Sequence, residues 1–261
     1  GERRGAAAAR RRQCGRHHAR ARPGAEALQV LVSEKDRHVI ALGCTPYGGS
    51  SIDYMQIRWS DQADAADWTP TTTNTAGDIN STVSANTTSG VTILKADTTD
   101  RTGDLTMGHG LGIVPQMLWW KNLGDDGQNW QVYHIGTTSG LMRLNDTNVR
   151  NADVTFWNTH TTTLIDIASH MYVQNGGHRV FVGYVFAPVQ GFSKFGTYEG
   201  NNNADGTFVY TGFSVAFVMV KNRDTASTKW VIQDTKRSPS GGGNPAEARL
   251  KPNDATAEEA D

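Results

Sequence analysis

Short apolar runs separated by Gly-, Asn- and Thr-rich turns recur along this chain. Val30–Val32 and His38–Cys44 are such runs, followed by a turn at Pro46–Ser51 and a stretch of alternating character at Tyr54–Trp59. This pattern predicts strands, with His38–Cys44 and Tyr54–Trp59 paired as a hairpin. Further strands are expected at Val91–Leu94, Leu141–Leu144, Val154–Trp157, Thr163–Ile167, His170–Val173 and His178–Ala187. In the last of these, Val180, Val182, Tyr184 and Phe186 alternate onto one face, the period-two signature of a strand. Nothing in the second half of the chain suggests a helix. No apolar run approaches the ~20 residues that a membrane-spanning helix needs.

The second half also repeats itself. GIVPQMLWWKNLGDDGQNWQVYH from Gly112 aligns without a gap on GFSVAFVMVKNRDTASTKWVIQD from Gly212. Gly112/Gly212, Lys121/Lys221, Asn122/Asn222 and Trp130/Trp230 are identical, and apolar character is shared at Met117/Phe217 through Trp120/Val220. Four apolar residues followed by Lys-Asn describe a strand covered on both faces that leaves the core at a polar turn. A return strand then opens with Trp. Met117–Lys121 and Phe217–Lys221 are therefore expected to be equivalent strands. Trp130 and Trp230 read as core anchors, and Lys121 and Lys221 as strand-end charges with solvated heads. The second repeat breaks off after Arg237 into a polar, Gly/Pro-rich stretch, so it reads as truncated.

Charge divides the chain unevenly. Of 25 basic and 26 acidic residues, segment 1–29 holds eight Arg against Glu2 and Glu26, leaving the remainder with 17 basic and 24 acidic groups. An acidic body does not attract nucleic acid, and the Arg-rich arm has too little apolar surface to offset the entropy of ordering. The change of composition near Leu28 reads as a disordered tail translated out of frame. Residues 79–103, rich in Thr, Ser and Asn, read as a linker. The expected division is a disordered tail at 1–29, a hairpin or blade-like segment at 30–87, a first module at 88–200, a truncated second copy at 201–237 and a disordered tail at 238–261.

Two stretches resemble known proteins. ALGC…IRWSDQ…DWTPTTTNTAGD, within residues 28–78, resembles a blade of the propeller-like tail-nozzle or head-completion proteins of short-tailed phages. The stretch VPQMLWWKN…NWQVYH…GGHRVFVGYVFAPVQGFSKFGTYEGNNNADGTFVYTGF…VMVKN…KWVIQDTKR, about 104–237, resembles a tandem β-domain family of tailed-phage virion and tail-appendage proteins. That resemblance implies an all-β virion module and brings no catalytic residues with it.

The familiar chemical signatures are missing. The sequence holds no GxxxxGK[ST] phosphate loop, no GxGxxG after a strand, no GxSxG elbow and no HExxH. Cys14 and Cys44 form no disulfide scaffold or four-cysteine zinc site. Cys14 with His17 and His18 lacks a fourth ligand, and His109, His134, His160, His170 and His178 are scattered. Asn201, Asn203 and Asp205 outline the start of a calcium loop, but the twelfth position is Gly212 rather than Glu, which favours a plain turn. No cofactor is expected.

The sequence thus predicts an all-β protein, an antiparallel β-sandwich or jelly-roll-like module with a truncated second copy. The expected role is non-enzymatic: a structural module of a phage virion, in the tail or a tail appendage, contacting other virion proteins and itself, with no membrane insertion. A host-adhesion module binding surface glycans is the alternative, with Trp119, Trp120 or Trp157 as stacking platforms. A glycan depolymerase would need two carboxylates about 5–10 Å apart in a groove.

Overall fold

The computed structural model describes residues 72–123, 128–137, 140–169, 179–203, 205–235 and 248–254, together with the backbone of 27–31, 39–43 and 259–260. Its strands are β1 (Ala27–Leu31), β2 (Val39–Gly43), β3 (Thr72–Asn74), β4 (Ser81–Asn86), β5 (Val91–Asp97), β6 (Leu105–Gly108), β7 (Met117–Asn122) and β8 (Gln131–His134). They continue with β9 (Met142–Arg143), β10 (Leu164–Ile167), β11 (Val180–Phe186), β12 (Phe217–Lys221), β13 (Trp230–Asp234), β14 (Ala248–Leu250) and β15 (Glu259–Ala260). One 3-10 turn, Ile135–Thr137, is the only helical element among the described residues. The fold is all-β with antiparallel ladders, as the alternation predicts.

Seven strands form the central sheet in the order β3-β4-β5-β11-β7-β8-β9. Two meanders, β3-β4-β5 and β7-β8-β9, are joined by β11, which pairs with β5 on one side and β7 on the other. Because successive strand side chains point to opposite faces, β5, β7, β8 and β11 each feed two cores. Val91, Ile93, Met117, Trp119, Val132, Val182, Tyr184 and Phe186 point to one face, where Trp230 and Ile232 of the four-stranded sheet β12-β13-β14-β15 cover them. Leu94, Leu118, Trp120, Tyr133 and Phe181 point to the other, where the β6–β10 ribbon and Phe156 and Trp157 close the layer. A sheet buried on both sides explains the run MLWWKN of β7, continuous rather than alternating.

The two repeats superpose in register. Met117 faces His134 and Trp119 faces Val132; one hundred residues on, Phe217 faces Asp234 and Met219 faces Ile232. The correspondence continues past the predicted break. Val132 pairs with Met142 as Ile232 pairs with Leu250, and the Leu141–Asn151 bridge has its counterpart in Arg249–Glu259. The offset has grown to 108 residues, so the loop between the second and third strands is longer in the second repeat. The segment 238–261 is thus not a loose tail throughout: β14 belongs to the second sheet, with Ala248 fully buried. Composition hid this because only Ala248 and Leu250 of this polar stretch turn an apolar side chain toward the core.

Other expectations are corrected too. Residues 79–103 are no linker, and no boundary falls near 88, because β4 pairs with β5 over six positions through the Asn86–Gly90 turn. Thr and Ser fit strands as well as loops, and the buried Ser81 hydroxyl donates to Gly108 O at 2.6 Å. Near the N-terminus β2 pairs with β1, which begins inside the predicted tail; the predicted partner Tyr54–Trp59 lies outside the described residues. Val154–Trp157 forms only a bridge, Trp157 to Ile167. His170–Val173 also lies outside the described residues.

Candidate functional site

Each repeat carries the same polar fastening at the end of its hairpin. Lys121 Nζ donates to Gln128 O and Lys221 Nζ to Thr228 O, the latter at 2.8 Å. In each case the lysine spans its own turn. The solvated heads expected for these lysines are therefore corrected: both ammonium groups bond main-chain carbonyls, and burial lowers the pKa of Lys221 against the charge of Asp146. Trp130 N donates to Asn145 Oδ1 at 3.1 Å, and Trp230 N to Asn253 Oδ1 at 3.0 Å. The pairs Asn145-Asp146 and Asn253-Asp254 are thus equivalent, although the longer second loop conceals them from a gapless alignment.

Where the repeats meet, the second reaches into the first. Trp230 Nε1 donates to Arg143 O at 2.8 Å and Lys221 Nζ to Thr147 O at 3.3 Å. The Arg223 guanidinium donates to Gly136 O, while its own carbonyl accepts from Arg150 N at 3.0 Å. His134 lies beside this contact, its pKa lowered by burial and then by the Arg223 charge. Trp230 is 3% exposed. Trp130 is only half-buried, against Tyr184, so the two anchors are placed alike but shielded unequally.

The scattered histidines converge in part. His109 Nε2 bonds Thr161 O at 3.2 Å while its Nδ1 accepts from Leu111 N, which fixes a neutral ring. His160 stands edge-on to Tyr133 with centroids 4.3 Å apart and to Trp157 at 5.9 Å, and its Nδ1 accepts from Asp166 N. Burial, then repulsion from His109, depresses its pKa to about 4. Both rings are neutral packing elements at neutral pH. His170 and His178 lie outside the described residues.

The tryptophans predicted as stacking platforms are buried, whereas the predicted turn residues Asn201, Asn203 and Asp205 are exposed. Trp119, Trp120 and Trp157 are 2%, 0% and 0% exposed, so none presents a ring face to a sugar. Asn201, Asn203 and Asp205 form successive turns: Asn203 N donates to Asn201 Oδ1 and Asp205 N to Asn203 Oδ1, both at 3.1 Å. Those oxygens are engaged by main-chain donors. No group of three His, Cys, Asp or Glu is placed to hold a metal among the described residues. A carboxylate pair does occur, since Asp104 and Asp166 each accept from Asn158 Nδ2 at 2.9 Å. It ties the approach to β6 onto β10, with Asp104 exposed and Asp166 partly buried. An open groove at the β3–β4 edge is lined by Thr72, Thr73, Asn74, Thr75, Val83, Ala85 and Gly110, none of them titratable.

What the sequence reading missed is a set of exposed aromatic residues. Tyr198, Phe208 and Tyr210 are 53%, 85% and 72% exposed, and the Lys194 ammonium sits 5.6 Å from the Tyr210 ring. Their Gly/Asn-rich setting was the available signal, because an aromatic between turn residues has little core to enter.

No curated protein and no solved structure matches the chain. No helix among the described residues is long and apolar enough to cross a membrane. The family comparison covers both repeats, the 79–103 strands and the C-terminal residues together: residues 49–261 match one family model, and the chain belongs to the domain of unknown function family DUF7483.

Proposed function

We propose that this protein is a non-enzymatic structural module of a tailed-phage virion, carried in the tail or a tail appendage. The phage assignment rests on the sequence resemblance of residues 104–237. The structural assignment rests on one observation above the others: the large rings Trp119, Trp120, Trp157, Tyr184 and Phe156 are committed to a sheet covered on both faces. Such a body holds its shape and leaves its loops to make contacts. Mass spectrometry of purified particles of the phage encoding this chain should find its peptides, and gold-labelled antibody should decorate the tail. Particles free of the protein would refute the reading.

The exposed rings favour a second reading, adhesion to host glycans. Tyr198, Phe208 and Tyr210 supply the stacking surface that the buried tryptophans do not. Glycan-array binding that disappears in Phe208→Ala and Tyr210→Ala, with the melting midpoint unchanged, would select this role. An array blank for the native protein would exclude it.

A further inference from the structure

Sheet edges carry unpaired main-chain donors and acceptors, and natural proteins shorten them, charge them or cover them. In the two larger sheets the edges other than β12 follow that rule among the described residues. β3 is three polar residues, TTN, while β9 and β15 are two residues each. β12 does not. It is the outer strand of its sheet, reads Phe-Val-Met-Val-Lys, and has no Pro, Gly or charge before its last residue. Val215 just before it and Val218 within it are 39% and 40% exposed. In the first repeat the equivalent edge, on β7, is filled by β11 in an antiparallel ladder from Met117 to Asn122.

The direction of the main chain is fixed. Thr235 N donates to Ala216 O, so in a regular antiparallel strand Ala216, Val218 and Val220 turn their N–H and C=O toward β13. Phe217, Met219 and Lys221 turn theirs to the open edge. The side chains divide in the same alternation: Phe217 and Met219 pack against the core, leaving Val218 and Val220 on the other face.

The geometry points to pairing of β12 with β12 of a second copy of this chain, antiparallel about a two-fold axis through Met219. In that register Phe217 lies opposite Lys221 of the second molecule and Met219 opposite its own counterpart, so all three outward residues bond. Val218 lies opposite Val220 of the second molecule, and the valines of both molecules are covered together. The contact is isologous and closes as a dimer rather than growing into a fibre. It joins two four-stranded sheets into one of eight. The inference deepens the structural reading above by naming the surface through which the module contacts itself.

The register supplies its own test. Val218→Glu/Val220→Glu and Val218→Lys/Val220→Lys each place like charges opposite one another, whereas a mixture of the two places opposite charges there. Sedimentation velocity of the full chain should give a dimer of twice 28.4 kDa. Each charged variant should dimerise roughly tenfold more weakly or worse, with an unchanged circular dichroism spectrum. The equimolar mixture should regain the dimer. A native chain that stays monomeric up to its solubility limit would overturn the proposal, as would charged variants that dimerise like the native chain. Should the native monomer instead capture a synthetic peptide of residues 178–187, the edge belongs to a strand donor and self-pairing is refuted. These results leave the virion assignment untouched, because particle mass spectrometry decides that separately.

Discussion

Gly183 lies opposite Trp120 in the β11–β7 ladder, and a Cβ at this position would stand 2.7 Å from the indole. Trp120 is fully buried and stacked on Phe181 at 5.2 Å, so the ring has nowhere to retreat. Gly183→Ala should therefore destabilise the fold by about 1–3 kcal/mol, the usual cost of overpacking. Gly196→Ala, with nothing within 4 Å of its added carbon, should leave the urea midpoint unmoved. The two repeat tryptophans diverge at the same scale. Replacing Trp230 by Ala removes a buried ring and its bond to Arg143 O, and should cost about 3–5 kcal/mol. Trp130→Ala should cost visibly less in the same denaturation series, since solvent already reaches that ring. Sequence alone made the two residues equivalent anchors. Their unequal shielding arises from packing between the repeats, which no local pattern records.

Between residue and fold, the repeated element is a hairpin held by a lysine across its turn and an asparagine under its return strand. Asn145→Ala and Asn253→Ala should each lower stability by about 1 kcal/mol, the net worth of one such hydrogen bond. Equal losses in thermal unfolding would show that the two repeats use the residue alike. Strands β7, β8, β11, β12 and β13 were legible because their apolar runs are long and bounded by turns. β4 and β14 were not, for a physical reason: STVSAN and ARL bury small or few side chains. Their place comes from main-chain pairing with β5 and β13, which the side-chain pattern barely encodes. The candidate site was legible only in the negative. Its tryptophans were singled out as large aromatics, but sequence does not say on which side of a covered sheet a ring falls.

For the whole molecule, acid is the informative perturbation. His160 is neutral in the fold with its pKa lowered from 6.5 to about 4 by burial and by His109. Between those values the unfolded chain binds more protons than the native one, so stability falls as pH drops through this window and levels off below about 4. The full loss from this group is about 3 kcal/mol. Urea titrations at several pH values should show that slope, and His160→Phe should flatten it. Order along the chain matters at this scale as well. Both meanders of the central sheet are made of neighbours in sequence, but the strand that joins them, β11, is synthesised after both. On the ribosome, β5 and β7 therefore wait with open apolar edges until Phe186 has emerged. Pairing at long sequence separation is slow to form, and the wait for it leaves those edges open to neighbouring nascent chains on a polysome.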